Sequence, residues 1–321
     1  MERDLSGLPK AHLHLHLTGS MRPSTLQELA GRYGVNVPPD QGGQEWRDFQ
    51  ERYDAARSTI HTVEDLHRVI LEAALDDVRD GSVWLELQAS PTGIAHQLQK
   101  DTEETIELLL EGCQAARETT GLGIGLIVAA SWTRPPEEAE RIARAAVRYA
   151  NHGVVGFGVS NDERGTDPAD YARAFDTARQ AGITVTPHSG FYTGADHIHA
   201  CIDHGAHRIG HGVTATQDNR LMAELARNRV TLEVCPTSYP PFGVEMDLRT
   251  LRENGVEVAL GADDPLLFGS GLADQYRIAR DTMGLDDVAL AELARASIRA
   301  CAAPDKTARL SQVDAWLAAA G

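Results

Sequence analysis

The run AHLHLHL, residues 11–17, decides how the rest of the chain is read. Histidines at 12, 14 and 16 alternate with leucines at 13, 15 and 17, and strict alternation over this length is the pattern of an extended strand. On such a strand all three imidazoles face one way, successive rings about 6–7 Å apart, and the leucines pack on the other side. A wall of buried imidazoles is costly unless each nitrogen is bonded. A zinc-type cation would bond them at about 2.0–2.1 Å.

Seven more short apolar runs follow: SVWLELQ (82–88), GIGLIVAA (123–130), GVVGFGVS (153–160), GITVTPH (182–188), HRIGH (207–211), RVTLEVC (229–235) and GVEVALGAD (255–263). Between most of them lie stretches such as TEETIELLLEGCQAARE and PEEAERIARAAVRYA. These have apolar residues at three and four spacing and acids in the first turn, as helices do. Eight strand-then-helix units predict an α/β fold, a (β/α)8 TIM barrel. The long segment 20–80 predicts extra helices between strands one and two, one of them the usual crossover and others over the barrel mouth. From about residue 272 the chain reads as a helical C-terminal tail of three helices.

Chemistry in such a barrel gathers where strand C-termini meet the following loops. The polar residues at those ends are His14, His16, Ser160, His188, His211, Asp263 and Asp264. Imidazoles and a carboxylate converging from separate strands make a cation site with room for a water, whose pKa a bound divalent ion brings to about 7. Metal-assisted hydrolysis is the reaction class this predicts. His12, deepest on the first strand, is read instead as a hydrogen-bonded interior residue. The cluster His197, His199, His204 and His207 falls on a helix and its exit, and is read as a solvated face rather than a second metal site. Tyr192 and Asp196 read as polar rim.

Lys and Arg total 30 against 47 Asp and Glu, a formal net charge of −17, so nucleic acid and anionic membrane surfaces are not expected partners. The longest apolar runs fall short of the roughly 20 residues a membrane span needs. The N-terminal MERDLSGLPK lacks a signal-peptide core, which predicts a cytoplasmic protein with a small-molecule substrate. Cys113, Cys201, Cys235 and Cys301 stand far apart with no CxxC pair and read as buried thiols. The only candidate seam, VPPDQGGQE (37–45), lies too near the N-terminus to bound a domain, so residues 1–321 are expected to form one domain.

The motifs LPKAHLHLHLTGSMRP, GVVGFGVSNDE, PHSG, RIGHGV, LEVCPTS and GADDPL occur in the order and spacing of adenosine deaminases, which the chain resembles from about residue 7 to at least 302. The resemblance implies one Zn2+ per chain on His14, His16, His188 and Asp263, with His211 orienting or deprotonating the attacking water. It implies that Asp264 contacts a purine ring and that backbone near Asn161 meets the base. Two positions depart from the family pattern. The motif behind the third metal histidine usually ends in Glu, which protonates a ring nitrogen; Phe191 stands there. An acid that contacts a ribose hydroxyl is replaced by Thr18. The expectation is a zinc-dependent hydrolase that deaminates a purine-like nucleoside or related heterocycle, with altered substrate or reaction. A different metal-dependent hydrolysis, and a catalytically silent binding protein, are the alternatives.

Overall fold

The computed structural model describes residues 3–39 and 45–319. Eight parallel strands run in sequence order: β1 (Lys10–His16), β2 (Ser82–Ala89), β3 (Gly123–Ser131), β4 (Val154–Ser160), β5 (Thr184–Ser189), β6 (Arg208–His211), β7 (Thr231–Val234) and β8 (Val258–Leu260). Leu15 bridges Asp263 in parallel register and joins the last strand to the first. The amide of His16 donates to the Asp263 carbonyl at 3.0 Å, and the Asp263 amide to the His14 carbonyl at 3.0 Å. The eight expected runs therefore become a (β/α)8 barrel, with β8 shorter than its run suggests. Beyond β8 the chain must pass close to β1, and Gly261 permits it: a methyl group there would lie 2.7 Å from His14 Cβ.

Among the described residues three α-helices separate β1 from β2: Pro23–Tyr33, Trp46–Arg57 and Val63–Arg79. The last is the crossover, started by Thr62 and Asp65 in a reciprocal capping box. The middle one covers the mouth, sending Trp46, Phe49, Tyr53 and Arg57 into the cavity wall. Residues 40–44 of the candidate seam lie outside the described residues. The tail is three helices, Leu272–Asp281, Asp287–Ala300 and Lys306–Ala318. No described helix is long and apolar enough to cross a membrane.

Strand side chains that point inward meet no water, so their charges must be paired. Arg208 of β6 reaches Glu86 of β2 at 2.5 Å and Glu233 of β7 at 2.7 Å, and its third side donates to the Ala300 carbonyl. All three charged residues are at most 2% exposed. Glu86 also accepts from the Trp84 indole and the Ala302 amide, which ties the C-terminal tail to the barrel. Removing one partner of a buried ion set costs about 3–5 kcal/mol because the other charges stay buried. Arg208→Ala is accordingly expected to lose stability in that range, measured by urea unfolding; a loss below about 1 kcal/mol would contradict the paired interior described above.

Candidate metal centre and its cavity

His14 and His16 at the end of β1 are joined by His188 at the end of β5 and Asp263 after β8. One ligating atom from each lies within 4.8 Å of all the others. His16 Nε2 is 3.2 Å from His188 Nε2 and 3.2 Å from Asp263 Oδ1, which is 3.4 Å from His14 Nε2. Ligands held tetrahedrally at about 2.0–2.1 Å from one ion stand about 3.3 Å apart, so this donor set has the spacing a zinc-sized cation requires. His14 Nε2 is buried with no hydrogen-bond partner, as a metal-facing nitrogen would be.

The protonation of the cluster carries the same message. Burial works against charge on His14, yet the nearby carboxylates of Asp263 and Glu233 outweigh it and push its pKa up to about 10. Burial, followed by the neighbouring imidazole charges, drives His188 well below its ordinary value. Burial likewise drives His211 down to about 3. The carboxylates thus favour a positive charge where three of the rings meet, and a divalent ion would supply that charge in the proton's stead. Glu233 Oε2 holds His14 Nδ1 at 2.9 Å, which leaves Nε2 as the free donor. A carboxylate behind a ligating histidine fixes its tautomer and direction.

A second grouping of His14, His211, Asp263 and Cys235 is also close enough for a cation. Burial pushes the Cys235 thiol far up, and only a thiolate is a good ligand, so the three-histidine set is the better one. All four cysteines are buried and unpaired with one another. His12 does not join the cluster. The register of β1 on β2 shifts between His12 and Leu15, and the His12 ring is held between Asp77 at 2.7 Å and the Ala262 amide at 3.0 Å. The three imidazoles of the opening run are therefore not equivalent, and His12 has the interior role expected of it.

His211 and Asp263 have φ of 68° and 59°, and Asn161, at the end of β4, has 80°. Non-glycine residues resist this region, and such strain concentrates at functional sites. All three line one cavity of about 1020 Å3 with His16, His188, Asp264 and Phe191. Asp264 Oδ1 is buried without a partner. Burial and the adjacent Asp263 charge raise its carboxyl well above the usual range. Gly19 leaves it room, since a methyl group there would fall 1.7 Å from that oxygen. Thr18 stands outside this wall; it is buried, and its hydroxyl meets Tyr53, which does line the cavity.

Phe191 lies against the His211 ring, centroids 4.8 Å apart, and continues to Tyr239 at 5.6 Å and Phe242 at 5.5 Å. Phe49 and Phe268 extend the same face. Four of the chain's six phenylalanines are thus gathered in this one wall, which makes it a surface for something flat and apolar. Tyr192 also lines the cavity, under the Arg164 guanidinium at 4.3 Å. Asp196 is exposed and is not in the wall. The histidines of the helix Ala195–Asp203 are not a plain solvated face. His197 is half-buried, bonded to Ser189 at 2.8 Å and Thr166 at 3.2 Å, because the helix turns that edge toward β5. Sequence reading missed Glu163 and Glu233, whose only signals were an acid at the end of the GVVGFGVSNDE motif and an acid inside the apolar run RVTLEVC.

The family model for adenosine deaminase matches residues 9–316. A Streptomyces virginiae protein provisionally named an adenosine/adenine deaminase is 49% identical, covering 98% of each chain. An adenine deaminase of Rhizobium johnstonii is 34% identical over 94% of this chain and 97% of its own. Among solved structures, an adenine deaminase from Arthrobacter aurescens superposes with a TM-score of 0.89 at 23% identity, covering 97% and 99%.

The purified protein is expected to contain about one divalent ion per chain by elemental analysis, and His188→Ala to lose most of it. Glu233→Gln should weaken metal affinity by about 10–100-fold in a chelator competition, the usual cost of removing the group behind a ligand. Undiminished metal content in His188→Ala would show that the ion, if any, is held elsewhere.

Proposed function

The chain belongs to the adenosine deaminase family, a metal-dependent aminohydrolase acting on a small molecule, and from that premise we propose that it is a zinc enzyme deaminating a purine-like nucleoside or related heterocycle. His14, His16, His188 and Asp263 would hold one Zn2+, and the chain is one domain working in the cytoplasm. The observation that carries the reading is the spacing of those four ligating atoms, three of them on residues that line the aromatic cavity. When bound, zinc would act as a Lewis acid and lower the pKa of a water to about 7.

The chain's own residues do the rest. His211, kept neutral by burial, has a lone pair to take a proton from the attacking water. Asp264, with its unpartnered oxygen and raised carboxyl pKa, meets the heterocycle, as does the backbone near Asn161. Phe191 gives the ring an apolar face against the His211 side and no proton. A positioned general acid contributes about 10²–10⁴ in rate, so the substrate is one whose ring accepts water without a proton from position 191. The relatives named for adenine and adenosine deamination support purine-like chemistry, and the phenyl wall supports a ligand less polar on that edge. Hydrolysis of another heterocyclic bond is the second reading, favoured only by that same lack of a proton donor.

Ammonia release from a panel of adenine, adenosine and N- or ring-substituted aminopurines tests the proposal: turnover of none, with the metal in place, would reject deamination. For the substrate that responds, His211→Ala should lower kcat by about 10² or more while metal content stays near wild type. Phe191→Glu should move activity in opposite directions, raising adenosine deamination about 10-fold and impairing the native reaction. If wild type already deaminates adenosine at about 1–10³ per second and Phe191→Glu brings no gain, the proton comes from another group.

A further inference from the structure

Glu163, in the loop after β4, is 2% exposed, and among the described residues no cation is paired with it. Its Oε1 instead accepts three successive backbone amides, Phe191 at 2.8 Å, Tyr192 at 2.8 Å and Thr193 at 2.7 Å. The Thr193 hydroxyl donates to the same oxygen at 2.7 Å. Three consecutive N–H groups turned toward one point form a nest for an anion, and here the chain supplies the anion itself. Oε2 is buried without a partner, so the carboxyl group is committed through Oε1 alone to ordering three peptide units at once.

The rest of the loop is braced without using the side chain at 191. Gly190, at φ 72°, donates to Thr193 Oγ1 at 3.1 Å. Thr214 donates its amide to the Gly190 carbonyl at 3.2 Å and its hydroxyl to the Thr193 carbonyl at 2.8 Å. Every one of these contacts is made by backbone or by Thr193, Thr214 and Glu163. The hydrogen bonds that hold the backbone of residue 191 therefore do not depend on its side chain, while the ring itself packs against His211, Tyr239 and Phe242.

We propose that Glu163 is the positioning residue of the site: it fixes the backbone of 191–193 so that whichever side chain stands at 191 is delivered against His211. This rests on the site reading above but not on which compound is deaminated. It makes position 191 an exchangeable specificity position, where a phenyl ring is presented as rigidly as a carboxyl group would be.

Hydrogen exchange on the zinc-loaded protein tests the proposal without any substrate. The amides of Phe191, Tyr192 and Thr193 should be protected in wild type and exchange at least 10-fold faster in Glu163→Gln, with zinc content unchanged. Equal exchange in the two proteins would overturn the proposal, as would a loss of protection spread evenly over the barrel. Should Glu163→Gln not fold, Glu163→Asp keeps the charge but shortens the reach and should give the same local result. A kinetic cycle separates positioning from a general structural role. With the substrate found by ammonia release, Phe191→Ala should lower kcat/KM about 10-fold in wild type and less than 3-fold in the Glu163→Gln background. Equal fold-changes in both backgrounds would show that the two residues act independently, and would refute the coupling.

Discussion

Two backbone hydrogen bonds, His16 to Asp263 and Asp263 to His14, close the barrel and assemble the site in one step. A parallel sheet of eight strands has two edges until its last strand meets its first, and here the meeting point is the residue whose carboxylate stands among the imidazoles. Asp263 can take part only with φ at 59°, a conformation that costs of order 1–3 kcal/mol for a residue with a side chain. The close approach demands Gly261 beside His14 and Gly19 beside Asp264. Barrel closure and donor geometry are thus a single constraint, and a change that relaxes one disturbs the other.

Behind that junction runs a chain of buried charge. His14 leans on Glu233, Glu233 on Arg208 and Thr186, Arg208 on Glu86, and Glu86 on the amide of Ala302 in the tail. Each link satisfies a group that would otherwise be stranded in the interior. The His14 ring is consequently oriented from below by a network that reaches the opposite end of the barrel. This explains why so much charge is retained in the interior: an apolar filling would pack equally well but could not set the tautomer of His14.

The barrel and the converging strand ends were legible in the sequence because they depend on period and position. Alternation marked β1, apolar runs marked the other strands, and polar residues at run ends marked the cluster. The helix Trp46–Arg57 was legible as a helix, but its aromatic contribution to the cavity was not, since nothing local says which loop a side chain will face. Glu163 and Glu233 were missed for a related reason. One sits in a loop and the other in mid-strand, and their partners are residues 28 and 219 positions away. His12 and His197 show the opposite difficulty: residues of the right type whose partners, Asp77 and Ser189, become visible only when the elements pack.

Phe191 is where these levels meet. A general acid worth about 10²–10⁴ corresponds to about 3–5 kcal/mol of barrier, and a phenyl ring supplies none of it. The neighbouring groups do not replace it cheaply. Burial, ahead of nearby charges, pushes the Tyr192 phenol up to about 12, so it parts with a proton reluctantly, and Asp196 does not line the cavity. What the ring does supply is an apolar partner for a neutral His211 and continuity with Phe242, Phe49 and Phe268. A wall of that kind lowers the local dielectric, which strengthens every electrostatic interaction between substrate and the groups at the cavity floor. At position 191 the cavity therefore offers a phenyl face and no proton donor, so a ligand edge placed there meets apolar contact instead of a hydrogen bond.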